Sequence, residues 1–187
     1  MKLGKWMKMD ENNEEDDKNE GELPDIFKII IFSKHEIIKQ QFLKAINAID
    51  VFDSSKKLEI GVDFAFLLYP KIKFQFWSLS NKPQYEFLKY SYISGSRGII
   101  YFYNIHDKIE ENHLNLVIDR FFHLIPILFV GYDSVLPKNH EKIDQNIQLI
   151  KKYFRDHNSL YISMDKPDSM FQILDRIIHL DLVIINK

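Results

Sequence analysis

The sequence predicts an α/β fold: a three-layer, doubly wound domain whose mostly parallel sheet has six strands, the second antiparallel, covered by five helices. Three observations carry this. Short, largely apolar runs, Phe27 to Phe32 (interrupted by Lys28), Gly98 to Tyr103 and Pro126 to Gly131, are the pattern of strands buried on both faces. Segments with apolar residues at helical spacing lie between them, and strand–helix alternation implies crossovers that feed parallel strands. Leu58 to Tyr69 and Ile72 to Trp77 flank a tight Tyr69-Pro70-Lys71 turn and read as one antiparallel hairpin.

Each element follows in order. Residues 1–24 hold Asp10, Glu11, Glu14, Glu15, Asp16, Asp17, Glu20 and Glu22, with Lys18 the lone cation between positions 10 and 22. Such a block repels itself and has little to bury, so an acidic N-terminal extension is expected to be disordered, and the domain spans residues 25–187. Ahead of the block, Met1 to Met9 with Trp6 reads as a loose terminus, and as a membrane-surface or partner-docking peptide only second. After the first strand, His35 to Ile49 places Ile38, Phe42, Leu43, Ile46 and Ile49 on one helical face. The hairpin comes next, then the strand at Gly98. Lys108 to Leu124 is a helix, Pro126 to Gly131 a strand, and His140 to Phe154 a helix. Leu160 to Ser163 is a short strand, and Asp168 to Leu182 a closing helix capped by Asp168 or Ser169.

Composition narrows the function. With 187 residues, 45% hydrophobic and 28% charged, the chain is one domain with a sizeable core. A net charge of −2 argues against general attraction to nucleic acid. No cysteine is present, so disulfides, thiolate metal sites and prenyl or palmitoyl anchors are excluded. The longest uncharged runs, such as Leu124 to Tyr132, are too short to cross a bilayer, and Met1 to Met9 lacks a signal-peptide core. A cytoplasmic location is expected, with membranes reached only through a partner.

Several local strings together resemble the Ras-like small GTPases, the Rab branch most of all. They are Ile60-Gly61-Val62-Asp63-Phe64, Phe74-Gln75-Phe76-Trp77 with Tyr85 and Tyr92, Gly95-Ser96-Arg97-Gly98-Ile99-Ile100, Val130-Gly131 and Ser163. The resemblance covers about residues 26 to 185 and implies a P-loop NTPase fold with strand order 2-3-1-4-5-6. It also implies a phosphate loop, G-x-x-x-x-G-K-[ST], whose backbone N–H groups and Lys hold phosphate while Ser/Thr holds Mg²⁺. At those positions stand Ser33-Lys34-His35-Glu36-Ile37-Ile38-Lys39-Gln40, and only Lys39 is kept. Forcing Ile38 into a left-handed conformation costs about 1–2 kcal/mol. Glu36 brings a negative charge into an anion site.

The other motifs depart in the same way. Glu59 stands where the family offers a metal-binding Thr, Ser78 where it has Asp, Asn81 where it has Gly, and Lys82 where Gln orients water; Pro83 follows. Tyr132-Asp133-Ser134-Val135 replaces the base-reading N-K-x-D, and Ser163-Met164-Asp165 replaces S-A-K. Each lost charged or bidentate contact is worth roughly 1.5–3 kcal/mol. The expectation is a catalytically inactive pseudo-GTPase without cofactor, a nucleotide-independent interaction or scaffold module. The alternative is a divergent GTPase that binds GTP or GDP with Mg²⁺ weakly through Lys39 and hydrolyses slowly.

The resemblance also assigns an interface. The family's effector-binding aromatic triad falls on Phe64, Trp77 and Tyr92, and Tyr85 joins it, with Phe66 and Phe76 expected to enlarge the same face. Aromatics anchor interfaces because they bury much area for little rotamer entropy. The implied partner is a protein, such as an active GTPase in a heterodimer or a trafficking or signalling effector. Seven histidines are scattered without metal-ligand spacing, and no G-x-S-x-G elbow occurs, so no metal or hydrolase site is expected. Lys151, Lys152 and Arg155 read as a solvated helix face.

Overall fold

The first apolar run, extended at both ends, builds the nine-residue central strand β1, Asp25–Ser33, and every later strand is placed relative to it. In this computed structural model the described residues are 25–50, 61–69, 72–80, 82–109, 125–133, 140–153, 159–163 and 167–185. After β1 come α1 (Glu36–Ala45), β2 (Ile49–Asp50), β3 (Val62–Tyr69), β4 (Ile72–Leu79) and a 3₁₀ turn at Pro83–Tyr85. Then follow α2 (Glu86–Ile93), β5 (Gly98–Asn104), β6 (Ile127–Asp133), α3 (His140–Tyr153), β7 (Ser159–Ser163) and α4 (Pro167–Ile185). The sheet order is β2-β3-β4-β1-β5-β6-β7, with β3 antiparallel to both neighbours and all other pairings parallel.

Two cores form because strand side chains alternate between faces. Phe27, Ile29 and Ile31 point to a core shared with Ile38 and Phe42 of α1 and Ile173, Leu174 and Ile177 of α4. Ile30 and Phe32 point to the other, shared with Ile93 of α2 and Ile150 of α3. The outcome is the expected three layers, doubly wound around a mixed sheet.

Three expectations are corrected. The sheet has seven strands rather than six: the six expected ones lie in the expected order, and Ile49–Asp50 adds an edge strand paired with Phe66 and Ala65. The first helix therefore ends at Ala45, not Ile49. Asn47 adopts φ 55°, its N–H donates to the Lys44 carbonyl at 3.1 Å, and Ala48 N–H donates to the Leu43 carbonyl at 2.9 Å. That is a Schellman stop, which satisfies the last carbonyls and turns the chain out of the helix. Neither Asp168 nor Ser169 caps α4; both lie in its first turn, which opens on Pro167, a residue suited to a position that needs no N–H donor. Four α-helices are present among the described residues. The fifth, expected over Lys108 to Leu124, falls almost entirely on residues 110–124, outside them, as does the acidic extension.

Candidate functional site

In open α/β sheets, ligands bind beyond the carboxyl ends of the strands, where connections from neighbouring strands run in opposite directions. Here that point lies between β1 and β5, and four parallel strands end around it: β1 at Ser33, β4 at Leu79, β5 at Asn104 and β6 at Asp133.

Side chains of the chain itself cross this crevice. Only Lys34 and His35 separate β1 from α1, and no residue from Ser33 to Ile38 has a positive φ. The helix thus begins three residues before Lys39, whereas in a strand–GxxxxGK[ST]–helix unit it follows the loop. Ile38 is buried in the α1 core. Lys39 is 1% exposed; its Nζ donates to the Leu79 carbonyl and pairs with Glu36 Oε2 at 2.7 Å. His35 Nε2 lies 3.0 Å from Asp107 Oδ2, joining the β1 end to the β5 end. His35 N–H also donates to Ser33 Oγ at 3.1 Å.

Tyr132, where the resembling family has the Asn of its base-reading motif, is buried and hydrogen-bonded to Ser33. Burial and the nearby Asp107 charge push its phenol up to about 12. Beside it His106 Nε2 meets Asp133 Oδ1 at 2.9 Å. Buried Asn146 of α3 accepts from Ile109 N–H at 3.1 Å and donates to the Asp107 carbonyl at 2.8 Å, which holds the loop in place. Sequence reasoning missed these pairings. His35 and Asp107 are 72 positions apart, and His106 and Asp133 are 27 apart, so no local spacing signals them. Among the described residues no group of three or more His, Asp or Glu is placed to hold a metal.

The expected interface residues divide. Phe64, Trp77 and Tyr92 come together: Phe64 stands edge-on to Trp77 with ring centroids 4.6 Å apart, and Tyr92 of α2 packs on Trp77 at 5.7 Å. All three are half-buried and pack against the α2–α3 core. Trp77 Nε1 is buried and has no hydrogen-bond acceptor among the described residues. Lys28 Nζ sits 3.9 Å from the centre of the Trp77 ring and donates to the Ser94 carbonyl at 2.7 Å. Partial burial holds the Lys28 ammonium below the ordinary lysine range.

Tyr85 lies in the 3₁₀ turn over Gly61, where an added Cβ would come within 2.5 Å of Tyr85 Cγ; Gly61 also has φ +79°. Phe76 is a correction: it is fully buried on the opposite sheet face, edge-on to Phe42 at 5.8 Å, because strand alternation turns residues 76 and 77 to opposite sides. Of the departed motif positions, Ser78 is buried at the end of β4, while Glu59, Asn81, Ser134, Val135, Met164 and Asp165 lie outside the described residues.

No family model matches the chain. Ras-related protein Rab-18 from Lymnaea stagnalis is 27% identical over 152 residues, which cover 76% of this chain and 73% of that protein. Among solved structures, bacterial selenocysteine-specific elongation factor EF-Sec superposes with a TM-score of 0.63 over 83% of this chain at 11% identity; the chain spans 28% of that factor's length. The chain is thus similar in sequence to a Ras-related protein and in fold to part of an elongation factor. None of the described helices is long and apolar enough to cross a membrane.

Proposed function

We propose that this protein is a catalytically inactive, small-GTPase-like interaction module that binds a protein partner without a nucleotide cycle. The observation that carries the reading is the state of Lys39. The one phosphate-loop side chain kept from the family's motif is committed to the Leu79 carbonyl and to Glu36. The backbone around it is helix rather than an open loop with left-handed turns. Phosphoryl transfer relies on positioning and charge neutralisation, and both need that loop. The donor set does not fit a Mg²⁺–nucleotide: Glu36 is an anion beside the lysine, and Gln40 offers an amide where a hydroxyl ligand is needed. Without a γ-phosphate to order switch segments, partner binding is constitutive. The half-buried cluster of Phe64, Trp77 and Tyr92, with Tyr85 beside it, is the docking face. It suits a protein partner, an active GTPase or a trafficking or signalling effector among them. The protein acts in the cytoplasm and meets membranes through that partner.

Nucleotide content tests the first half of this reading. Protein purified without added nucleotide is denatured and its released nucleotides quantified, and native protein is titrated with fluorescent GTP and GDP, with and without Mg²⁺. No bound nucleotide and no titration signal are expected. Near-stoichiometric GDP or GTP would sink the reading in favour of the second one, a divergent GTPase that uses Lys39 and hydrolyses slowly, which the similarity to Rab-18 favours. For the docking face, capture with wild type and Trp77→Ala as baits should yield partners held by the first and lost from the second. Equal capture would remove Trp77 from the interface.

A further inference from the structure

The registers of β3, β4 and β1 lay out one continuous face in three rows: Leu68, Lys73 and Ile26; then Phe66, Gln75 and Lys28; then Phe64, Trp77 and Ile30. Tyr92 of α2 covers part of the third row. The first row is open, with Ile26 60% and Leu68 66% exposed. Two lysines are the only charged residues among these nine positions. Lys73 Nζ stands 5.0 Å from the centre of the Phe66 ring, and Lys28 Nζ 3.9 Å from that of Trp77. The face is therefore apolar, aromatic and positive, and it is continuous with the cluster assigned to partner binding.

The chain carries a complementary segment directly ahead of β1 in sequence. Residues 1–24 contain eight acidic and four basic residues, a net charge of −4; with −2 for the whole chain, residues 25–187 carry +2. All eight acidic side chains lie within the thirteen residues 10–22, which end three residues before Asp25, the first residue of β1. At a strand rise of ~3.3 Å per residue, those thirteen residues can reach ~43 Å, against ~13 Å from the first row to the third. A tethered segment also meets its site at an effective concentration that a free peptide does not reach.

We propose that residues 10–22 dock on the β1–β3–β4 face of their own chain, setting carboxylates against Lys28 and Lys73 and covering the aromatic cluster until a partner displaces them. This rests on the cluster's being the partner site, and it makes that site self-screened. Carboxylates approaching Lys28 and Lys73 meet cations already held in place over Trp77 and Phe66, so little side-chain freedom is lost on docking.

The absence of cysteine gives a direct test on the full chain. A nitroxide attached at Asn13→Cys is the single label, and paramagnetic broadening is read on backbone amides by NMR. Broadening concentrated at Ile26, Lys28, Phe66 and Lys73 is expected. It should fade when the acidic residues of 10–22 are changed to Asn and Gln, in Lys73→Glu, and as ionic strength rises from about 0.05 M to about 0.5 M, which shortens the screening length severalfold. Even broadening over the surface, broadening centred elsewhere, or a pattern indifferent to the charge changes would overturn the proposal. So would broadening that survives only between spin-labelled unenriched chains and enriched unlabelled ones, since the occupant would then be a second copy. The two readings fail separately. If the broadening is absent while Trp77→Ala still loses captured partners, the cover alone is wrong. If the broadening is present but no partner distinguishes wild type from Trp77→Ala, the partner site is wrong and the cover stands. With both correct, the charge-neutralised variant binds its partner severalfold more tightly than wild type.

Discussion

Lys39 occupies the position at which the resembling family meets phosphate, yet its ammonium is held by the Leu79 carbonyl and the Glu36 carboxylate of its own chain. The role proposed for it is structural, tying the start of α1 to the end of β4. Lys39→Met removes the donor and leaves both acceptors without it, so urea unfolding should show a loss of about 1–3 kcal/mol, with no change in nucleotide titration. A nucleotide signal present in wild type and lost in the variant would contradict that role. Tyr132 makes a pH-dependent contribution. Its phenol is pushed up to about 12 from an ordinary 10, so folding favours the protonated form. That stability is complete below about pH 10 and is lost as pH rises toward 12. In Tyr132→Phe the fall in urea midpoint between pH 9 and pH 11 should shrink. Part of the fall should persist, because Tyr69, bonded to Asp175 at 3.0 Å, is raised as well. An unchanged fall would mean that Tyr132 ionises as freely in the fold as outside it.

At the scale of elements, α1 separates a motif reading from a structural one. Read as a broken phosphate loop, the sequence suggests that glycine at position 38 moves the chain back toward phosphate binding. In the fold, Ile38 is an interior helix residue packed in the core. Ile38→Gly therefore combines a core cavity with glycine's backbone entropy and should destabilise by about 3–6 kcal/mol without creating nucleotide affinity. Thermal melts and the fluorescent GDP titration read the two halves; tight GDP binding by the variant would restore the loop account. Element identity was legible where periodicity was unambiguous. Phe27 to Phe32, Gly98 to Tyr103 and Pro126 to Gly131 all became central strands, and the hairpin pairs Phe64 with Trp77. Legibility failed at ends. Ile49 completes a helical stripe on paper, but Asn47 takes a left-handed conformation and the chain leaves the helix, so Ile49 pairs with Phe66 instead.

For the molecule as a whole, the proposed function predicts constitutive binding. Partners captured through the Phe64–Trp77–Tyr92 cluster should be retained equally in GTP, GDP or neither, and with or without Mg²⁺, in parallel pull-downs; a GTP-dependent change in yield would show that a nucleotide still governs the face. The sequence by itself determined the layered α/β class, the sheet order through its resemblance, and the clustering of Phe64, Trp77 and Tyr92. The layered class follows from hydrophobic periodicity, which local pattern encodes, whereas the sheet order and the aromatic cluster were implied only by the resemblance. Which polar groups meet was decided only by the tertiary structure. Lys39 reaching Leu79, His35 reaching Asp107 and His106 reaching Asp133 all depend on how strand ends converge. A buried or crevice-lining polar group takes whatever partner the packed backbone brings within hydrogen-bond distance, and a partner tens of residues away leaves no spacing in the chain by which to find it.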